Sequence, residues 1–274
     1  MDLRDVIGNI IPEIQMHMSF LTAEYPMKDC GYVFERLSEL YQGLGICYLL
    51  ITADTNKFRE NLIHSGQARR YFLRKSQEQG NVRDRHLALS RSEAFLDSVV
   101  AGDLNLASDI ARLSSEIWEG NWEYEDDFCF FLFLHVIVKK SAALPLSELQ
   151  RILEQFEKSL EGGGSMRLDV CKALLMKDKK KFIVALQQLL EEKQEKLNEE
   201  RPLVMKSRFL YWPSSFVCVE GLALLKVAEL ICIQIDDEFA LCPSEARQPA
   251  KANKYRDLFM DLERALAADR EGGS

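Results

Sequence analysis

Apolar residues recur three and four positions apart along nearly the whole chain, as in Val33, Leu37, Leu40 and Leu44. No segment of useful length alternates with a period of two. This spacing places apolar side chains on one face of a helix and predicts an all-α protein of about ten helices. The predicted helices cover residues 3–24 with a bend or break at Pro12, 31–53, 56–78, 91–101, 104–118, 126–140, 146–160, 166–176, 179–198, 214–235 and 252–268.

Aspartate stands at the start of three predicted helices, at Asp54, Asp103 and Asp178, each after an apolar helix. A carboxylate at this position accepts hydrogen bonds from unpaired amides of the first turn. The uneven spacing favours stacked antiparallel helical hairpins, loosely resembling tetratricopeptide repeats, over a regular solenoid. A shared capping preference alone would explain the pattern equally well. Ser90-x-x-Glu93 has the form of a capping box for the helix predicted at 91.

A single glycine run before the C-terminal tail, at 162–164, is the best candidate for a boundary. It separates an N-terminal helical half, 1–160, from a C-terminal helical half, 161–270. Neither half looks self-contained, so we interpret the run as a loop within one compact unit.

Composition sharpens this picture. The 274 residues include only 14 Gly and 7 Pro, which disfavours an all-β chain with many turns. With 35 basic and 43 acidic residues, the net charge is −8. A negative charge disfavours nucleic acid and anionic membrane as direct partners and favours a basic protein.

The seven cysteines show no C-x-x-C spacing, which predicts free thiols and a reducing compartment. The N-terminus lacks the basic and apolar regions of a secretory leader, so we expect a cytoplasmic location. The run FCFFLFLHVIV at 128–138 is too short to span a membrane, and residues 216–235 carry three charges. Both are interpreted as buried helices.

Catalytic signatures are missing: the sequence has no G-x-S-x-G, Walker, dinucleotide-binding or H-E-x-x-H motif. The four histidines have no partners at metal-ligand spacing, and His135 is expected to be a hydrogen-bonded core residue. The adjacent pairs Asp126-Asp127 and Asp236-Asp237 point to different sides of a helix and cannot flank one bond. We therefore predict no enzyme, no cofactor and no metal.

One surface candidate is residues 116–127, here called the acidic-aromatic segment. Its aromatic and acidic members are Glu116, Trp118, Glu119, Trp122, Glu123, Tyr124, Glu125, Asp126 and Asp127. Aromatic side chains anchor protein interfaces, while carboxylates orient a cationic partner. The alternative has Trp118 and Trp122 packed into the core on either side of a turn, with the carboxylates stabilising the start of the helix at 126.

The second candidate is a basic strip between residues 69 and 91. Its members are Arg69, Arg70, Arg74, Lys75, Arg83, Arg85 and Arg91. Such a strip could bind nucleic acid. In an acidic chain with few interleaved aromatics, a solvated helix face or pairing with the acidic-aromatic segment is favoured.

Three apolar motifs follow in the C-terminal half: R-L-x-V-x-x-A-L-L from Arg167, F-x-x-A-L-x-x-L-L from Phe182 and V-E-G-L-A-L-L-K-x-A from Val219. From Arg167 to Pro243 the chain resembles the immunity protein family numbered 49 of bacterial polymorphic toxin systems. The resemblance implies a non-enzymatic protein that binds and neutralises a cognate toxin delivered by secretion, including type VI secretion, or by cell contact.

Combining these points, we predict a cytoplasmic immunity protein whose toxin is a basic nuclease or another enzyme acting in the cytosol. The predicted contact surface is the acidic-aromatic segment, assisted by Asp236, Asp237 and Glu238. The main alternative is a helical-repeat adaptor or chaperone for an effector. A third is a helical enzyme or nucleic-acid binder that uses the basic strip.

Glu220 and Gly221 lie within the third motif. Glycine inside a helix costs about 1 kcal/mol relative to alanine, so Gly221 predicts the close approach of another element. Glu220 would then need a cationic partner, such as an arginine of another helix, because an unpaired buried carboxylate is costly. The alternative is simple exposure of Glu220 to solvent.

Overall fold

Helices form almost all regular structure in the computed structural model, which describes residues 2–21, 27, 30–80, 82–203, 209–248 and 255–272. The thirteen α-helices of these ranges are α1 (Leu3–Ser19), α2 (Gly31–Thr52), α3 (Thr55–Gln79), α4 (Glu93–Ala101), α5 (Leu104–Leu113), α6 (Glu125–Lys139), α7 (Leu146–Ser159), α8 (Met166–Met176), α9 (Lys179–Glu200), α10 (Tyr211–Ser214), α11 (Val219–Leu230), α12 (Ser244–Arg247) and α13 (Leu258–Gly272). Short 3₁₀ helices lie at Arg85–Leu87 and Arg201–Leu203. The predicted all-α fold is confirmed. Among the described residues, β-type pairing is limited to one isolated bridge between Phe239 and Cys242.

Three hairpins share one turn. Helices α2, α4 and α8 each end on a residue in the left-handed conformation, and the next residue is an aspartate whose carboxylate accepts amide hydrogen bonds from the following helix. These pairs are Ala53 with Asp54, Gly102 with Asp103, and Lys177 with Asp178. A two-residue link between helices that pack together makes them antiparallel. The predicted aspartate caps are therefore confirmed, and each belongs to a hairpin.

Helices adjacent in sequence pack on one another from α1 to α9, and α11 then returns to pack against α4. The apolar core has two clusters. The larger runs from Ile46 to Ala246 and includes residues on both sides of the glycine run at 162–164. The smaller joins α1, α2 and α3, and Phe259 of α13 is inserted into it. The two predicted halves thus share a core.

Helix α6 lies in the centre of the larger cluster. Every residue from Phe128 to Val138 is buried, which explains why this helix has no polar face. His135 is 1% exposed, and its ring lies 4.1 Å from that of Phe95. Its Nε2 has no hydrogen-bond partner among the described residues, and burial lowers the pKa of His135 well below its usual value. The predicted core position of His135 is therefore confirmed, but the expected hydrogen bond is not found at its Nε2.

In the described part of the chain, no helix has both the length and the apolar character needed to cross a membrane. Six cysteines are free thiols, of which Cys232 is exposed and the others are buried: Cys47, Cys129, Cys171, Cys218 and Cys242.

Helix α5 is shorter than predicted, because it ends at Leu113 and not at 118. Ser115 Oγ accepts a hydrogen bond from the backbone amide of Ile117 at 3.1 Å. A serine side chain that binds a nearby amide competes with the helical hydrogen bond. Similarly, α4 begins after Ser92 rather than Ser90, and the amide of Ser90 donates to Glu123, so the predicted capping box does not form.

The helix predicted at 214–235 is shorter in the structure: α10 ends at Ser214, α11 covers Val219–Leu230, and an extended segment follows. Ile231, Ile233 and Ile235 of this segment are buried, while the residues between them are exposed. The sequence I-C-I-Q-I-D therefore does contain a short period-two pattern rich in β-branched residues, which is the signal of extended structure. Cys232 has a φ of 70°, in the left-handed region, so the helix cannot continue past this residue.

Gly221 confirms the predicted close approach. A Cβ at this position would lie 2.7 Å from Cys242 Sγ and 2.9 Å from Leu190 Cδ2. Gly221→Ala is therefore expected to lower the free energy of unfolding by about 1–2 kcal/mol, measured by urea denaturation, despite the better helix propensity of alanine.

The matched control is Gly8→Ala in α1, where a Cβ would meet no atom within 4 Å. That change is expected to raise the free energy of unfolding by roughly 0.5–1 kcal/mol through helix propensity alone. Equal shifts in the two variants would show that close packing at Gly221 has no effect on stability.

Candidate functional site

The acidic-aromatic segment forms the connection between α5 and α6 and the first turn of α6. Three of its large apolar side chains reach solvent: Ile117 is 72% exposed, Trp118 41% and Tyr124 79%. Trp122 is half-buried. The two tryptophans therefore are not both core residues, and the segment presents apolar area on the surface.

Hydrogen bonds hold the segment in one conformation. The indole Nε1 of Trp118 donates to the carbonyl of Glu123 at 3.2 Å, and the amide of Trp122 donates to the carbonyl of Glu119 at 2.8 Å. Glu123 Oε2 accepts from the amide of Ser90 at 2.7 Å, which ties the segment to the chain before α4. Because these bonds exist in the free protein, little conformational entropy is lost when a partner binds here.

The carboxylates of the segment divide into bound and unbound groups. Three of them have side-chain partners on helices: Glu116 pairs with Lys139, Glu125 accepts from Gln155 at 2.8 Å, and Asp127 accepts from Arg167 at 2.6 Å. Glu119 and Asp126 have no side-chain partner among the described residues. The segment thus offers fewer free negative charges than its composition indicates.

Asp236, Asp237 and Glu238 are exposed in the extended segment after α11. Arg247 supports this segment by donating to the carbonyl of Asp237 at 2.7 Å. Within the described ranges, no hydrogen bond or ion pair joins these three residues to the acidic-aromatic segment. Their participation in one common surface stays a prediction.

The basic strip is largely neutralised inside the molecule. Arg69 is buried and donates to the carbonyls of His86 and Ala88, while Arg83 and Arg85 are exposed. The other members form ion pairs: Arg70 with Asp109 and Asp257, Arg74 with Glu78 and Glu263, Lys75 with Glu78 and Glu263, and Arg91 with Glu35. Intramolecular pairing is therefore found, but the partners lie on other elements and not in the acidic-aromatic segment.

Arg167 of α8 joins three helices. Its Nε and Nη2 donate to Oε1 and Oε2 of Glu220 on α11, each at 2.7 Å, and its Nη1 donates to Asp127 on α6. The guanidinium carbon also lies 4.6 Å from the ring centre of Phe130. Burial disfavours the charged guanidinium, but its bonds to Glu220 outweigh this and raise the pKa of Arg167. Glu220 has the arginine partner that its position predicts.

A cleft of about 500 Å³ opens beside this cluster, between α2, α4, α9 and α11. Its volume falls in the range of roughly 300–1,000 Å³ that is usual for binding sites. The charged residues that line it are Glu35, Arg36, Glu39, Arg69, Arg91, Glu93, Asp97, Arg167, Lys193, Glu200 and Glu220. The sequence motifs did not identify this cleft, because its charges come from helices that are far apart in the chain.

Asp97 lies in the interior next to this cleft. Its carboxylate accepts hydrogen bonds from Ser65 Oγ at 2.5 Å and from Gln42 Nε2 at 2.8 Å, which links α2, α3 and α4. Burial raises the pKa of Asp97 to about 7 in spite of these two bonds. Burial also disfavours the charged form of Arg69, and for a cationic group this lowers the pKa, here to about 10.

Comparison with known proteins agrees with the motifs of the C-terminal half. The family model described as Immunity protein 49 matches residues 73–246, which confirms the resemblance and extends it toward the N-terminus. The match includes the acidic-aromatic segment, Arg167 and Glu220, whereas α1, α2 and α13 lie outside it. No curated protein and no solved structure matches the chain. Because the matched residues make up more than half of the sequence, the chain belongs to the immunity protein 49 family.

Proposed function

We propose that this immunity protein neutralises a cognate toxin by direct stoichiometric binding in the cytoplasm, without catalysis. The toxin is a basic protein, such as a nuclease, that acts in the same compartment. Family membership supports the immunity role. The net charge of −8 supports the basic partner, because opposite charges accelerate the encounter of two proteins.

The proposed contact surface is the acidic-aromatic segment, together with Asp236, Asp237 and Glu238. One observation supports it most: Ile117, Trp118 and Tyr124 are exposed on a segment that internal hydrogen bonds already order. Large apolar groups on an ordered surface give binding energy at a small entropic cost. The unpaired carboxylates of Glu119 and Asp126 add electrostatic attraction to a basic protein.

Co-expression with the product of the gene adjacent to that of this protein tests this function. We expect a 1:1 complex by size-exclusion chromatography with light scattering, and loss of toxin activity at equimolar ratio. The association rate should fall several-fold as salt rises from about 50 to about 500 mM, because salt screens the attraction between opposite charges.

A toxin from an unrelated system serves as the control and should form no complex. Binding that leaves the toxin active would indicate the adaptor or chaperone alternative. Failure to form any complex with that gene product would show that the proposed function is wrong.

A further inference from the structure

The C-terminal helix α13 lies against α3 and is held there by one apolar anchor. Among the residues of α13 whose side chains the structure describes, 258–267, Phe259 alone is buried. Its ring lies 5.7 Å from that of Tyr71 on α3 and 5.9 Å from that of Phe34 on α2. The larger apolar cluster contains no described residue of α13. The helix is therefore peripheral to the main core, and its anchor fills an aromatic site between α2 and α3.

Basic side chains of α3 surround this aromatic site and bind the acidic residues of α13 and of the position before it. Asp257 pairs with Arg70, and Glu263 pairs with Arg74 and Lys75. The hydrogen bond from Lys75 lowers the pKa of Glu263. The three basic residues belong to the basic strip, so one role of the strip is to hold an acidic helix. The residues that receive α13 are here called the α13 groove: Phe34, Arg70, Tyr71, Arg74 and Lys75.

The start of α13 is fixed on the same face by hydrogen bonds of its main chain. Asp257 Oδ1 accepts from the amide of Phe259 at 3.2 Å. On α3, the side-chain amide of Gln67 donates to the carbonyl of Arg256 at 3.2 Å and accepts from the amide of Leu258 at 3.3 Å. The α13 groove thus recognises an acidic helix with an aromatic residue in its first turn, in the pattern D-x-F-x-x-x-E that begins at Asp257.

The forces that hold α13 allow it to detach as a unit. Its ion pairs with α3 are partly exposed, and such pairs are individually weak and screened by salt. A helix of 15 residues is marginal in water on its own, so α13 depends on this docking. Detachment breaks one aromatic contact and these polar contacts, whereas global unfolding also breaks the larger apolar cluster. The local opening of α13 therefore costs less free energy than global unfolding.

We propose that α13 is a detachable latch, and that the α13 groove of one copy of the chain binds α13 of a second copy. The occupant is α13 because this is the segment whose fit to the groove the structure shows. Exchange between two copies recreates the same contacts that exist within one chain. The α13 of the same chain competes at an effective concentration on the order of millimolar, so exchange prevails when the internal contact is weakened. The inference does not depend on the proposed function.

Complementary charge reversals in the full chain test the exchange. Glu263→Lys damages the latch and leaves the α13 groove intact, whereas Lys75→Glu damages the groove and leaves the latch intact. In an equimolar mixture the intact groove of the first variant meets the intact latch of the second, and the two reversed side chains attract each other. At a concentration of about 50 μM we expect each variant alone to be monomeric and the mixture to form a heterodimer, measured by size-exclusion chromatography with light scattering.

Three controls define the cause. Both reversals in one chain restore the internal pair, so this double variant should be monomeric. Adding Phe259→Ala to the Lys75→Glu variant removes the anchor from the intact latch and should weaken the heterodimer roughly tenfold or more. Arg264→Ala, at an exposed position of the same helix, should leave the heterodimer unchanged.

The far-UV circular dichroism and thermal melts of all variants are compared with those of the wild type, because the rest of the fold should stay intact when α13 detaches. A mixture that stays monomeric while both variants are folded would overturn the inference. A heterodimer that forms equally well with Phe259→Ala would also overturn it, since the two chains would then meet through another surface.

Discussion

Replacing Ile117 and Tyr124 together by serine is expected to weaken the complex with the cognate toxin about 100-fold, which corresponds to about 2.7 kcal/mol. Both side chains are among the most exposed apolar groups of the protein, and central aromatic and aliphatic anchors carry most of the energy of an interface. The affinity is measured by calorimetry or surface plasmon resonance at fixed salt, because the charge attraction depends on ionic strength.

The choice of serine separates binding from folding. Tyr124 is the N-cap residue of α6 and makes no side-chain capping hydrogen bond. Serine is a favoured N-cap residue, so the replacement should maintain or raise the stability of α6. By contrast, Glu123 accepts the hydrogen bond from Ser90 and Trp122 is half-buried, so alanine at either position would disturb the segment itself.

Val184→Ser is the matched control for this prediction. Val184 lies on α9, outside the proposed surface, and is 57% exposed. It should leave the affinity for the toxin unchanged. If the double variant binds the toxin as tightly as the wild type, the acidic-aromatic segment is not the contact surface.

Arg167→Met is expected to lower the free energy of unfolding by about 2–4 kcal/mol. The change leaves the carboxylates of Asp127 and Glu220 without their cation at a partly buried junction of three helices. Removing one partner of such a pair is costly because the remaining charge stays desolvated. Partial exposure of all three side chains places the expected value below that of a fully buried cluster. Urea denaturation monitored by circular dichroism measures the change.

Two further variants define the cause. Lys172 lies on α8, as Arg167 does, and forms an exposed ion pair with Glu157. Lys172→Met should lower the free energy of unfolding by less than about 1 kcal/mol. Combining Arg167→Met with Asp127→Asn and Glu220→Gln should restore most of the lost stability, because no unpaired carboxylate is left. A loss that persists in the triple variant would assign the effect to packing on Phe130 instead.

The helices and their tight turns are local properties, and the sequence predicts them well. The aspartates at Asp54, Asp103 and Asp178 lie within four residues of the amides they accept from, so spacing alone identifies them. Two of the errors in helix length have local causes as well. Ser115 binds the amide of Ile117, and the alternation of Ile231, Ile233 and Ile235 is visible in the sequence itself.

The candidate site was only partly accessible to sequence reasoning. Gly221 predicts the close approach of another element, and Glu220 predicts a cationic partner, because both inferences depend only on the type of residue and its place in a helix. Which arginine meets the need depends on the packing of α8 against α6 and α11, and Arg167 lies 53 positions away from Glu220. The composition of the acidic-aromatic segment likewise indicates a charged surface, but not which of its carboxylates have partners.

The sequence alone therefore specifies an all-α chain, its hairpin turns and its membership in the immunity protein 49 family, because hydrophobic periodicity, capping and family motifs are carried by nearby residues. The tertiary structure decides which charges are free. The energy of an ion pair depends on a separation of a few ångströms between side chains from distant elements, and on their burial. For this reason Arg70 and Arg74 prove to be paired within the protein, while Arg167 of α8 is paired with Glu220 of α11 at the edge of a cleft that no local pattern predicts.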